Sequence, residues 1–267
     1  MNNSNKKYTL ITGASSGFGY EFVDLFARDG HNLVIVSRNQ EKLNTMAREF
    51  SRQYNIEVLP LSKDLMKPGT PQEIYEEIKA KGIEVNILVN DAGMGEHGLF
   101  IETDLQKELD IIQLNIISLV HLTKLFMKDM VARDEGRILQ VASTLSILPT
   151  PMMAVYAATK AFVLSFTEAL INELKDSKVT MTALMPGASD TDFFNKAGAE
   201  NTVVAQDTKL SDPAEVAKQG YEALMKGDNR VIVGFKNKLQ AAFSNVLPDS
   251  TVAGGMRKFM EEKKDEE

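Results

Sequence analysis

Residues 8–27 read YTLITGASSGFGYEFVDLFA. Tyr8 to Thr12 is a short apolar strand that breaks into Gly13, Gly17 and Gly19. Beyond Gly19, apolar residues recur at Phe22, Val23, Leu25, Phe26 and Ala27, which is helical periodicity. A strand, a glycine turn and a helix in that order aim backbone N–H groups and a helix N-terminus at an anion. The glycines let the backbone turn tightly and approach a pyrophosphate closely. The spacing is Thr-Gly-x-x-x-Gly-x-Gly, not Gly-x-Gly-x-x-Gly, and alone such a turn also serves as a plain strand-to-helix connection.

The next strand, Asn32 to Val36, ends in Ser37-Arg38, where a dinucleotide fold reads the adenosine ribose. An acid there binds free ribose hydroxyls and repels a 2′-phosphate. Ser37 is a neutral donor and Arg38 a planar cationic fork, so the pair points to NADP(H) in preference to NAD(H). The bland alternative is a solvated surface arginine.

The alternation continues. Glu41 to Tyr54 reads as helix, Ile56 to Leu61 as a strand running towards Asp64-Leu65, and Gln72 to Lys81 as helix. Val85 to Val89 is an apolar strand entering Asn90-Asp91-Ala92-Gly93. Apolar strands separated by amphipathic helices indicate an α/β fold, a doubly wound parallel sheet in a single domain. Asp104 is a candidate cap for one long helix to Met130, with Asn115 on its apolar face. A buried amide is either a satisfied core residue or part of a site. Gly136 to Ala142 is another strand with Ser143 at its carboxyl end, the edge where open α/β sheets bind ligands.

Between Ser143 and Lys160 the chain sets a serine, then Tyr156, then a lysine four residues on. In a helix from Ala154, Tyr156 and Lys160 share a face. A free tyrosine has a pKa near ~10, and a neighbouring ammonium lowers it, which suits a proton shuttle. A surface Tyr and Lys that merely share a face is the alternative. Strand Val179 to Met185 closes on Pro186-Gly187, and residues 188–208 form a long mixed loop expected to act as a lid. Asp212-Pro213 opens a helix to Met225, Val231 to Gly234 is a last strand, and 236–262 is a helical extension in two pieces, Lys236–Leu247 and Thr251–Glu262. Residues 1–7 are a tail, 8–262 the domain, and 263–267 a second, charged tail.

The 267 residues are 43% hydrophobic and 25% charged, ordinary for a globular chain. The net charge of −7 argues against nucleic-acid binding. No apolar run approaches the ~18 residues of a membrane span, so no transmembrane segment is expected. Without cysteine there is no disulfide or thiolate chemistry, and a cytoplasmic location is the default expectation. His31, His97 and His121 are scattered, so no metal site is expected, although His97 is placed to line the pocket.

Thr12–Gly19, Asn90–Gly93, Asn115, Ser143, Tyr156–Lys160 and Pro186-Gly187 together resemble the classical short-chain dehydrogenases/reductases, in order and spacing from Tyr8 to Gly234. The resemblance implies a Rossmann fold, NAD(P)(H), interconversion of a carbonyl and an alcohol, and a homodimer or homotetramer. Tyr156 would be the acid/base, and Lys160 would lower its pKa and hold the nicotinamide ribose. Ser143 would bond the substrate oxygen and Asn115 would position a relay water. Gly13, Ser15, Ser16, Gly17, Phe18 and Gly19 would wrap the phosphates. Asp64 and Leu65 would meet the adenine, Asn90, Ala92 and Gly93 the adenosine ribose, and Pro186, Gly187 and Thr191 the carboxamide.

Asp91 departs from the family's usual second asparagine, and a carboxylate lacks the amide's donors. Leu145, Met152, Met153, Phe193 and Phe194 are uncharged, so a partly apolar substrate is expected. Two other functions fit the fold: a catalytically silent nucleotide sensor, and a related epimerase or dehydratase.

Overall fold

The computed structural model describes residues 7–235, 237–239 and 248–263. Its centre is a seven-stranded parallel sheet. The strands are β1 (Lys7–Thr12), β2 (Asn32–Ser37), β3 (Val58–Ser62), β4 (Glu84–Asn90), β5 (Arg137–Val141), β6 (Thr180–Met185) and β7 (Arg230–Ile232), in the order β3-β2-β1-β4-β5-β6-β7. The chain leaves β1 in one direction and returns to its other side at β4. The switch point therefore lies between the carboxyl ends of β1 and β4, the place such sheets reserve for ligands.

Helices cover both faces, which is why Leu33 to Val36 is buried without a polar alternation. Helices α1 (Gly17–Arg28) and α2 (Gln40–Tyr54) pack on one face, with Phe22, Phe26, Leu43 and Phe50 in the shared core. The other face takes α3 (Thr70–Ala80), with Ile74 and Ile78. Pro60 is tolerated in β3 because that strand is an edge.

The long helix 105–133 is continuous but changes pitch. It runs as α4 (Leu105–Ile112), a π-helical stretch (Gln113–Ser118) and α5 (Leu119–Arg133). Asn115 lies inside the π stretch, a feature common at functional sites. Asp104 caps α4 by accepting from Lys107 N at 3.0 Å. Helix α6 (Ala154–Glu173) follows a 3₁₀ turn (Thr144–Ile147).

Two expectations change here, and a third lies largely outside the described residues. Residues 188–208 contain two short helices, α7 (Phe193–Ala197) and α8 (Val203–Asp207), so the segment is a folded cover and not a plain loop. Two helices, 105–133 and 154–173, reach the length and apolarity of a bilayer span after all; both are core elements whose inner faces lie against the sheet, which is what their composition serves. The expected helix 236–247 falls largely outside the described residues. Helix α9 (Pro213–Lys226) is capped by Asp212, as read from sequence, and α10 (Asp249–Met260) closes the chain.

Candidate active site

The glycine turn after β1 is packed to contact. A Cβ on Gly19 would lie 2.3 Å from the Gly13 carbonyl oxygen, and Gly13 sits at φ +70°. No larger residue fits at Gly19. Ser16 is the N-cap of α1, yet its hydroxyl makes no capping bond. The first N–H groups of α1 thus face the cavity formed by Gly13, Ser16, Gly17 and Phe18. Ser15 does not line that cavity, and Gly19 acts from beneath the turn.

At the end of β4 the residues diverge. Asn90 turns its side chain into the core, donating to Thr123 Oγ1 at 3.1 Å and Gln140 Oε1 at 3.0 Å, so it is not available to a ribose as expected. Ala92 and Gly93 do line the cavity, with Asp91 on its floor. Asn115 Oδ1 accepts from Met94 N at 3.0 Å, and Nδ2 donates to Met94 O at 2.9 Å and Thr159 Oγ1 at 3.0 Å. Its side chain pins the loop after β4 to α6 rather than reaching out for a water.

Ser143, Tyr156 and Lys160 converge from β5 and α6. Ser143 caps the 3₁₀ turn by accepting from Leu145 N at 3.1 Å, and its hydroxyl also contacts the Tyr156 phenol. Lys160 Nζ donates to Val141 O at 2.8 Å and lies 5.7 Å from the Tyr156 ring centre. Burial pushes the Tyr156 phenol well above its ordinary value, the Ser143 hydrogen bond pulls it back and Asp91 adds to the rise. This is opposite to the lowering expected from Lys160. The reason is the burial of the phenol, and desolvation also lowers the pKa of Lys160 to about 8. The Asp91 carboxyl is pushed up to about 7 by burial, against the pull of Lys160 and of the Gly19 N–H.

The far edge suits a ribose phosphate. Ser37 Oγ is buried without a hydrogen-bond partner, and the exposed Arg38 side chain has no ion-pair partner among the described residues. Lys63, beside them, is already paired with Glu73 and Glu77. Asp64 accepts from Met66 N at 3.1 Å, and Leu65 is buried, so neither lines the main cavity. An orphaned hydroxyl and a guanidinium without an ion-pair partner among the described residues can meet the ribose end of a nicotinamide dinucleotide.

Beyond Tyr156 the cavity, about 790 Å³, becomes apolar. Leu145, Met153, Phe193 and Phe194 line it as expected; Met152 packs behind them. The Phe193 ring lies 5.0 Å from that of Tyr156. A Cβ on Gly95 would come within 2.8 Å of Phe193 and 3.2 Å of Tyr156, so this glycine makes room for both rings. Met256, Phe259 and Met260 of α10 also face the cavity. Sequence reading missed them, although Met256 and Met260 carry the i, i+4 spacing of one helix face. His97 does not line this cavity; its ring Nε2 meets the Met260 carbonyl at 2.7 Å and ties α10 down. Val203 N also donates to Glu261 O at 3.0 Å, joining the 188–208 segment to α10.

Residues 7–202 match the family described as short chain dehydrogenase. The chain belongs to that family. It is thereby an oxidoreductase, and the family's cofactor is NAD(P)(H). This short-chain dehydrogenase is 36% identical over 255 residues to human 17-beta-hydroxysteroid dehydrogenase type 3, covering 91% of this chain and 76% of that one. It is 34% identical over 185 residues to the very-long-chain 3-oxoacyl-CoA reductase of Anas platyrhynchos, covering 67% of this chain and 58% of that one, which is less than two thirds of the reductase. A short-chain dehydrogenase from Sphingobium yanoikuyae in complex with NADPH superposes with a TM-score of 0.80 at 27% identity, over 90% of this chain and 94% of that one.

Proposed function

We propose that this short-chain dehydrogenase interconverts a bulky, largely apolar ketone and its secondary alcohol with NADP(H). The supporting observation is the contact of the Ser143 and Tyr156 hydroxyls at the point where the glycine-turn end of the cavity meets its apolar end. The nicotinamide, when bound, gives or takes the hydride. Gly13, Ser16, Gly17 and the N-terminus of α1 would hold the diphosphate, and Ser37 and Arg38 would meet the 2′-phosphate. Ser143 and Tyr156 both donate hydrogen bonds to the carbonyl oxygen and polarise it. As the carbonyl carbon gains the hydride, Tyr156 gives its phenolic proton to the oxygen, and Lys160 stabilises the phenolate left behind. A phenol raised by burial is protonated at neutral pH, the form needed to give a proton to a carbonyl oxygen.

The substrate reading rests on the walls. Leu145, Met153, Phe193, Phe194, Met256 and Met260 give the cavity an apolar wall, while Asp192, Lys196, Asp207 and Lys209 also line it. Steroid and very-long-chain acyl groups, named in the two relatives, are apolar groups of this kind. Each methylene buried here gains about 0.8 kcal/mol. NADPH consumption across a homologous ketone series and a set of ketosteroids tests the reading. Catalytic efficiency should climb with apolar size; small hydroxy acids as the best substrates, with no gain from length, would overturn it. A silent sensor would show binding without turnover of any of these.

A further inference from the structure

Asp91 is a carboxyl of the cavity without an assigned task. It lies on the cavity floor with Gly13, Ser16 and Gly17, the residues of the anion-binding turn. Its Oδ2 stands 2.9 Å from where a Cβ of Gly13 would be and 2.8 Å from that of Gly19. Its carboxyl accepts from the Gly19 N–H. A carboxylate here therefore occupies, from below, part of the positive field at the start of α1 that an incoming diphosphate needs.

We propose that Asp91 links cofactor binding to a proton: the dinucleotide binds tightly to the form of the enzyme in which the Asp91 carboxyl is protonated. This rests on the turn being the diphosphate site. The titratable groups acting on Asp91 are Lys160 and Tyr156, both from α6. The β1–α1 turn contributes only backbone, and Thr12 and Asn115, from β1 and the π stretch, are neutral. An ionised Asp91 repels the diphosphate, and a bound proton removes that repulsion. By linkage, the cofactor raises the affinity of Asp91 for its proton by the same factor that the proton raises cofactor affinity. A site that is half ionised near neutral pH turns this into a pH-dependent affinity in the physiological range.

The test uses the intact enzyme and NADPH, with binding as the readout. Calorimetry at pH 7.5 in buffers of different ionisation heat should show uptake of about half a proton per site. The dissociation constant should rise about fivefold from pH 6.5 to pH 8. The 2′-phosphate titrates near pH 6, below this window. Infrared difference spectra on binding separate a carboxyl from an ammonium. A protonated-carboxyl band should appear, shift on ¹³C-aspartate labelling of the wild type, and be missing in Asp91→Asn. The label restricts the band to aspartate, and its absence in Asp91→Asn assigns it to this one. Binding with no carboxyl band and a flat affinity, or equal proton uptake in Asp91→Asn, would overturn the proposal. Failure of both NADPH and NADH to bind would overturn the cofactor reading, and this proposal with it.

Discussion

Ser146 Oγ donates to the backbone carbonyl of Lys160 at 2.8 Å and accepts from Ser143 N at 3.2 Å. One buried hydroxyl thus joins the 3₁₀ turn after β5 to the helix that carries Tyr156. The contact of Ser143 with the phenol depends on that joint. Ser146→Ala strips the Ser143 N–H of its acceptor, at a cost of about 1–3 kcal/mol. We expect a midpoint of thermal unfolding lower by a few degrees, and kcat reduced several-fold with KM little changed. A fall in stability with kcat untouched would show that the joint is structural only.

Asp91 should make stability depend on pH in a direction unusual for a carboxylate. Its pKa is 3.8 unperturbed and about 7 in the folded protein. Between those values the native state binds more protons than the unfolded one, so stability falls as pH rises, and the full penalty stands above pH 7. Its ceiling is about 4 kcal/mol, a figure that already includes the pull of Lys160 on the carboxyl. Urea unfolding should therefore find Asp91→Asn more stable than wild type by about 1–3 kcal/mol at pH 8, with the gap closing towards pH 4. A gap independent of pH would mean that Asp91 does not titrate in this range.

The cofactor edge gives a third expectation. NADPH should exceed NADH in kcat/KM by about ten- to a hundredfold, the worth of one charge-assisted contact. Ser37→Asp combined with Arg38→Ala should reverse the preference by adding a repelling acid and removing the fork. Equal efficiencies in the wild type would contradict the assignment of Ser37 and Arg38.

Much of this was legible in the sequence because it is local. Apolar runs such as Leu33–Val36, short and bounded by polar turns, read as buried strands, and Tyr156 and Lys160 share a helix face by spacing alone. What periodicity does not carry is which surface a face meets. The i, i+4 methionines at 256 and 260 declare a buried stripe but not that the cavity is what they cover. Asn90 and Asn115 could be placed near the site, yet the direction of each amide is set by Thr123, Gln140, Met94 and Thr159, partners remote in sequence. The raised Tyr156 phenol has the same origin. Spacing brings Lys160 close, but the fold buries the phenol, and that desolvation raises it.

The apolar walls come from two segments, and each should leave its mark. Phe194→Ala and Met260→Ala each remove side-chain surface from the substrate end of the cavity while leaving Ser143, Tyr156 and Lys160 in place. Both should flatten the rise of kcat/KM with substrate size, raising KM for the largest ketones about tenfold and barely affecting the smallest. An equal loss for small and large substrates would place these residues in folding rather than recognition.

The most direct measurement is turnover by Tyr156→Phe with cofactor binding followed in parallel. The substitution removes one hydroxyl and leaves the ring against Phe193. Turnover of ketone should fall about 10²- to 10⁴-fold, while NADPH binds within a few-fold of wild type. Turnover retained near the wild-type rate would contradict the assignment of Tyr156 as the proton donor.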